Sequence, residues 1–129
     1  MATKTPPFNP YPEWTVSRFW SFVRSALRQA WSRYPPKYQV LELAARPYVG
    51  PDKRQKKEFQ CAICKDWHKR SNVEVDHIEP AGSLRDYNDL PEFVRRLFTS
   101  IDKLRVLCKP CHRIVTQEEK KKNKELLND

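Results

Sequence analysis

Two Cys-x-x-Cys pairs, Cys61/Cys64 and Cys108/Cys111, constrain this chain more than any other feature, because they join segments that the sequence keeps 43 residues apart. Cysteine thiolates are soft ligands suited to Zn2+, and two such knuckles supply the four ligands of a closed tetrahedral structural site. These four are all the cysteines in the chain. The alternative is a pair of structural disulfides, which needs an oxidising compartment. No apolar run reaches membrane-spanning length, and residues 1–12 lack the apolar core of a secretory signal. A cytoplasmic protein whose thiols bind metal is therefore the expectation.

A simple zinc ribbon spaces its knuckles by about 15 to 20 residues, so the longer insertion here must hold further structure. Near its start stands Asp76-His77, after the alternating run Val73-Glu74-Val75, and the second knuckle runs straight into His112. A metal pinning the two knuckles would let Asp76, His77 and His112 converge from distant parts of the sequence. Taken singly, these residues also fit a strand-end hydrogen-bonding pair and a helix-capping histidine. Their common placement beside the knuckles favours a metal-assisted site. His68, amid Lys65, Asp66, Lys69 and Arg70, reads as an exposed loop residue with no assigned role.

With 129 residues and 39% hydrophobic content the chain can bury only a modest core, which a structural metal closing a long loop would supplement. Glycine occurs twice, so glycine-rich phosphate loops are excluded. The formal charge of +9 is unevenly spread: residues 1–57 carry 11 Lys or Arg against 3 acids, and residues 58–129 carry 14 against 13. Such a basic excess suits a polyanion, because neutralised phosphates release counterions. The bland counterpart is plain solubility. The expected organisation is a basic helical arm over 1–57 and a zinc-stapled module over 58–129, with no internal repeat beyond the knuckles.

Residues 1 to about 10, rich in proline, read as extended. From Val16 the apolar positions Phe19, Trp20, Val23, Leu27, Ala30, Trp31 and Tyr34 recur at helical spacing, with Thr15 or Ser17 as cap and Pro35-Pro36 as terminator. This stripe is a packing face, and the opposite face offers Arg24 and Arg28 to a phosphate backbone. A short helix is expected over Tyr38–Ala45, stopped by Pro47. The charged run 52–57, with Lys53, Arg54, Lys56 and Lys57, is a connector or a DNA contact. Val73–Ile78 and Leu104–Leu107 read as strands and Glu92–Thr99 as a helix with Asp89 as cap and Glu92 reaching back; a polar helix opens at His112.

The string Cys61-x-x-Cys64, Val73-Glu-Val-Asp-His-Ile-Glu-Pro80 and Leu107-Cys-Lys-Pro-Cys-His112 resembles the HNH endonucleases, particularly the small zinc-containing ones of bacteriophages. The resemblance spans residues 59 to about 119. It implies an α+β chain built on a ββα-metal fold, with Asp76 and His112 holding one divalent cation (Mg2+ or Mn2+, or Ni2+) and His77 as general base. A neutral imidazole, with an ordinary pKa near 6.5, can accept a proton from water at about pH 7. The implied activity is phosphodiester cleavage in DNA, in phage genome processing or packaging. The sequence departs from the family at Lys103, where an asparagine is usual, and in lacking a lysine just after His112. Lys103 is then a candidate phosphate contact. The competing function is a non-catalytic module docking on DNA or on a polymerase or terminase, and a weaker one is a structural virion or replication accessory protein whose tryptophan-rich helix is the interface.

Overall fold

A computed structural model describes residues 8–127, with side chains in the last helix up to residue 122. The expected extended proline-rich start lies mostly outside the described residues. The chain is α+β, with four helices and two small sheets among the described residues.

Helix α1 (Val16–Trp31) begins where Thr15, in an extended conformation, accepts a hydrogen bond from the Arg18 amide. That cap satisfies one of the orphan N–H groups of the first turn and contributes about 1 kcal/mol. The chain leaves α1 at Ser32, and Pro35-Pro36 open α2 (Pro35–Ala44) instead of merely ending α1. Proline is well placed at the first helical positions, whose N–H groups lack partners anyway, and it forces the preceding Tyr34 into extended backbone. The short helix expected over Tyr38–Ala45 therefore starts three residues earlier.

At its end α2 turns directly into a strand that the sequence did not announce, β1 (Ala45–Pro47). It pairs antiparallel with β2 (Lys57–Gln60), in the register Ala45 to Phe59 and Pro47 to Lys57, and β2 pairs with β3 (Trp67–His68). Pro47 is tolerated because β1 is an edge strand. The expected division after residue 57 falls inside the β1–β2 pairing. Of the segment expected to be an arm, Ala45–Pro47 pairs with β2, the strand that leads into Cys61.

The second sheet is the antiparallel pair β4 (Val73–His77) and β5 (Leu104–Cys108), in the register Val73 to Cys108 and His77 to Leu104. Between these strands runs α3 (Leu90–Leu97), and β5 passes without a break into α4 (Lys109–Leu127). Asp89 does not cap α3. A short 3-10 turn, Tyr87–Asp89, runs into the helix, so Asp89 already has helical backbone and its carboxylate instead accepts from the Arg85 amide at 2.9 Å. Glu92 turns to Arg95, 2.6 Å away, and does not reach back.

Two apolar clusters fill the interior beside a smaller one of Cys61, Leu107 and Cys108. One joins α2 to both sheets through Val40, Leu41, Phe59, Val73, Leu104 and Val106. The other packs the α1 stripe, centred on Trp20, against Ala81, Leu84, Phe93 and Leu97. Phe93 and Leu97 are fully buried, and without α1 their face would stand in water. Truncating Phe93 to alanine would cost about 3 to 5 kcal/mol. This covering role is why α1 belongs to the core. Trp31 packs against both clusters and so couples α1 to the β4–β5 pair.

Candidate functional site

The four cysteines form one cluster, with all four sulfurs within 4.8 Å of one another. Cys61 ends the approach of β2, and the knuckle closes through a hydrogen bond from the Lys65 amide to the Cys61 carbonyl at 3.0 Å, with Lys65 at a φ of 68°. Left-handed backbone at a non-glycine residue is unusual and marks the tightness of this turn. The Ala62 amide donates to the Val106 carbonyl at 2.8 Å, which fastens the first knuckle to β5, the strand that delivers Cys108. Cys111 follows one turn into α4.

The sulfurs of Cys64 and Cys108 stand 3.8 Å apart. Ligand bonds of about 2.3 Å to a tetrahedral Zn2+ would place sulfurs about 3.8 Å apart, so the spacing fits the ion. Electrostatics agree. Burial pushes the Cys61 thiol up, but backbone hydrogen bonds from Cys108, Cys64 and Ile63 outweigh it and bring the thiol down to about 6. The Cys108 thiol beside it, together with burial, drives Cys111 up to about 12. Four such groups cannot all ionise in one place without a cation. The cluster is suited to a metal ion such as zinc. His68, left without a role by the sequence, stands with Nε2 3.9 Å from Cys64 Sγ.

The β4–β5 pair continues from the cysteine cluster to a second constellation. Side chains alternate along a strand, so Glu74 and Asp76 share one face of β4 while Val73, Val75 and His77 share the other. Helix α4 brings His112 over the Glu74–Asp76 face. Its Nδ1 lies 3.1 Å from Glu74 Oε2, and its Nε2 faces Asp76 Oδ1 at 3.6 Å. Arg105, directly opposite Asp76 in the register, donates from Nε to Asp76 Oδ2 at 3.0 Å. Asp76 is buried with one oxygen held by Arg105 and the other turned to His112.

On the other face, His77 Nε2 donates to the Leu97 carbonyl at 2.9 Å, because a carbonyl can only accept. This leaves Nδ1 as the proton-accepting nitrogen. The Trp31 ring lies with its centroid 4.7 Å from that of His77 and limits the rotation of the imidazole.

Asp76, His77 and His112 all open onto one cleft of about 760 Å3. Arg24 and Arg28 of α1 line it too, as does Arg85. Gly82, with a φ of +84°, turns the chain along its rim, and an added Cβ there would be strained and 3.3 Å from the Arg96 guanidinium. Glu119, two turns beyond His112 on α4, also reaches the cleft; burial raises its carboxyl above the ordinary range and the Asp76 charge raises it further.

The other candidate contacts fall elsewhere. Lys57 is paired with Glu42 at 2.8 Å, and Lys53, Arg54 and Lys56 lie in the loop between β1 and β2. Lys103 lines smaller cavities with Glu79, but its carbonyl accepts from the Ile78 amide at 3.0 Å and so extends the ladder just past His77. The sequence did not point to Glu74, Arg105, Arg85, Glu119 or the Leu97 carbonyl. Only Glu74 had a legible signal, its i−2 position to Asp76 on a strand. No family model, curated protein or solved structure matches this chain. No helix among the described residues is long and apolar enough to cross a membrane.

Proposed function

We propose that the protein is a metal-dependent DNA endonuclease of the HNH type, hydrolysing phosphodiester bonds. The observation that carries this reading is the meeting of His77, with Nδ1 left as its proton acceptor, and the Asp76–His112 pair in one arginine-lined cleft. The succession β4, β5, α4 supports a ββα-metal arrangement, with the four-cysteine cluster at one end of the strand pair and the cleft at the other.

In this reading His77 accepts the proton of the attacking water at Nδ1, and the Leu97 carbonyl keeps the ring in the required tautomer. Asp76 Oδ1 and His112 Nε2 would hold the divalent cation. A bound ion would supply neutralisation of the phosphate and stabilisation of the leaving oxygen. Glu74 accepts from His112 Nδ1 and thereby keeps Nε2 free and turned to Asp76, as carboxylate partners of metal-binding histidines do. Arg24, Arg28 and Arg85 bind the phosphates flanking the scissile one.

The test is conversion of supercoiled plasmid to nicked or linear forms in Mg2+, Mn2+ or Ni2+, with and without chelator. Wild type is expected to nick and His77→Ala to lose at least about a hundredfold, the contribution typical of a general base. Equal residual nicking by both proteins would favour the second reading, a non-catalytic DNA-binding module, for which Lys103 in the usual asparagine slot is the motive.

A further inference from the structure

We infer that the cleft continues past His112 onto the exposed face of α4, where Lys109, Arg113 and Lys120 form a second subsite for the phosphates of the same DNA strand. The inference rests on the proposed DNA substrate and extends it to residues that neither the resemblance nor the charge asymmetry singled out.

Three observations carry it. First, a further cavity of about 460 Å3 lies along α4, lined by Lys109, Arg113 and Lys120, and it shares His112 and Thr116 with the 760 Å3 cleft. The two depressions therefore meet at the metal-ligand candidate itself, and a strand seated in one runs into the other. Residues 109, 113, 116 and 120 fall on one stripe of a helix, so the three cations face the same way.

Second, the cations that line the two cavities are without carboxylate partners among the described residues. Arg46, Lys57, Arg95 and Arg96, all away from the two cavities, are ion-paired with Glu58, Glu42, Glu92 and Glu79. Arg24, Arg28, Arg85, Lys109, Arg113 and Lys120 make no ion pair among the described residues. The acids that face the groove are Glu74, held by His112 Nδ1, and Glu119 beside Asp76. The near-neutral sum over residues 58–129 conceals these unpaired cations along the groove.

Third, the dimensions suit a polynucleotide. Lys120 lies eleven residues beyond Lys109, about 16 Å of helix at about 1.5 Å per residue. One DNA strand carries a phosphate about every 3.4 Å of its axis, so the stripe spans about five nucleotides.

The experiment is fluorescence anisotropy of a short labelled duplex with the full, zinc-loaded chain over a salt series, without added Mg2+ or Mn2+ so that binding is read apart from cleavage. Lys109→Ala/Arg113→Ala/Lys120→Ala is expected to flatten the slope of log affinity against log salt by about 2.7, three phosphate contacts at about 0.9 each, and to weaken binding at moderate salt by at least roughly tenfold. Lys53→Ala/Arg54→Ala/Lys56→Ala removes the same charge away from the groove and is expected to stay within about twofold of wild type at that salt. Lys109→Arg/Lys120→Arg, which keeps the charge, should bind like wild type. Equal losses in the two alanine triples would reduce the effect to net charge and overturn the subsite, as would an unchanged slope in the α4 triple with zinc content and melting curve intact. If wild type binds with the expected slope difference but never nicks plasmid, the nuclease reading falls and the subsite stands. If wild type nicks and the α4 triple binds and nicks alike, the subsite falls alone.

Discussion

The cysteine cluster and the cleft sit at opposite ends of the same strand pair, and they spend their ligand atoms in opposite ways. In the cluster, the four sulfurs converge to within 4.8 Å of one another. In the cleft, each of three groups has one atom fixed by the protein and one left over: Arg105 holds Asp76 Oδ2, Glu74 holds His112 Nδ1, and the Leu97 carbonyl holds His77 Nε2. A closed set of ligands suits a structural ion, whereas half-satisfied ligands around open space suit an ion that must also meet substrate. The pairing of the leftover atoms teaches more than the identity of the residues does.

The sharpest way to break this contrast is to remove a sulfur. Cys108→Ser should abolish stoichiometric zinc and the cooperative melting transition together, since structural zinc sites contribute about 10 kcal/mol or more of folding free energy. A variant that lacks zinc by elemental analysis yet melts like wild type would show that the cluster is not structural. At the other end, His77→Ala should eliminate most nicking while keeping zinc and losing only about 1 kcal/mol of stability with the Leu97 hydrogen bond, measured by urea titration. Large destabilisation there would mean that the cleft histidine is chiefly a core residue.

A finer division is available at Glu74. Glu74→Gln should raise the Mn2+ concentration needed for half-maximal nicking by about 10-fold to 100-fold, with the rate at saturating Mn2+ little changed. A lowered saturating rate with unchanged Mn2+ demand would remove the carboxylate from its role of orienting His112. The smallest effect is expected at Glu119. Its raised carboxyl means that the folded state holds the proton more tightly than the unfolded state, so stability falls as pH rises through the range between the two. Glu119→Gln should remove that cost and raise the melting temperature at neutral pH, without added divalent cation, by up to about 2 °C. A lowered melting temperature would show that the charge is compensated after all.

Much of the site could be read from the residues because its signals are local. The Cys-x-x-Cys spacings are set by one tight turn each, and the cluster they form is the one expected; Val73-Glu-Val-Asp-His alternates as a strand must. Elements that depend on distant partners were harder to see. Ala45–Pro47 is only three residues long and becomes a strand because β2 lies beside it. Pro35-Pro36 reads equally as the end of one helix or the start of another, and packing of α2 against β5 decides. Arg24 and Arg28 were legible as a polar face, but that this face looks into the cleft follows from α1 covering Phe93 and Leu97. The charge run at 52–57 carried the strongest basic signal in the sequence and lies away from the cleft, because net charge says nothing about which cations meet a carboxylate in the fold.

The hydrogen bond from the Ala62 amide to the Val106 carbonyl bears on how the molecule is made as well as on how it is held. A ribosome releases Cys61, Cys64, Asp76 and His77 well before β5, Cys111 and His112. Until those later residues emerge, the nascent chain has half its thiols, no strand for Ala62 to bond and no histidine above Asp76. Order of synthesis thus completes the cysteine cluster and the Asp76–His112 pair together, only once the second knuckle has emerged.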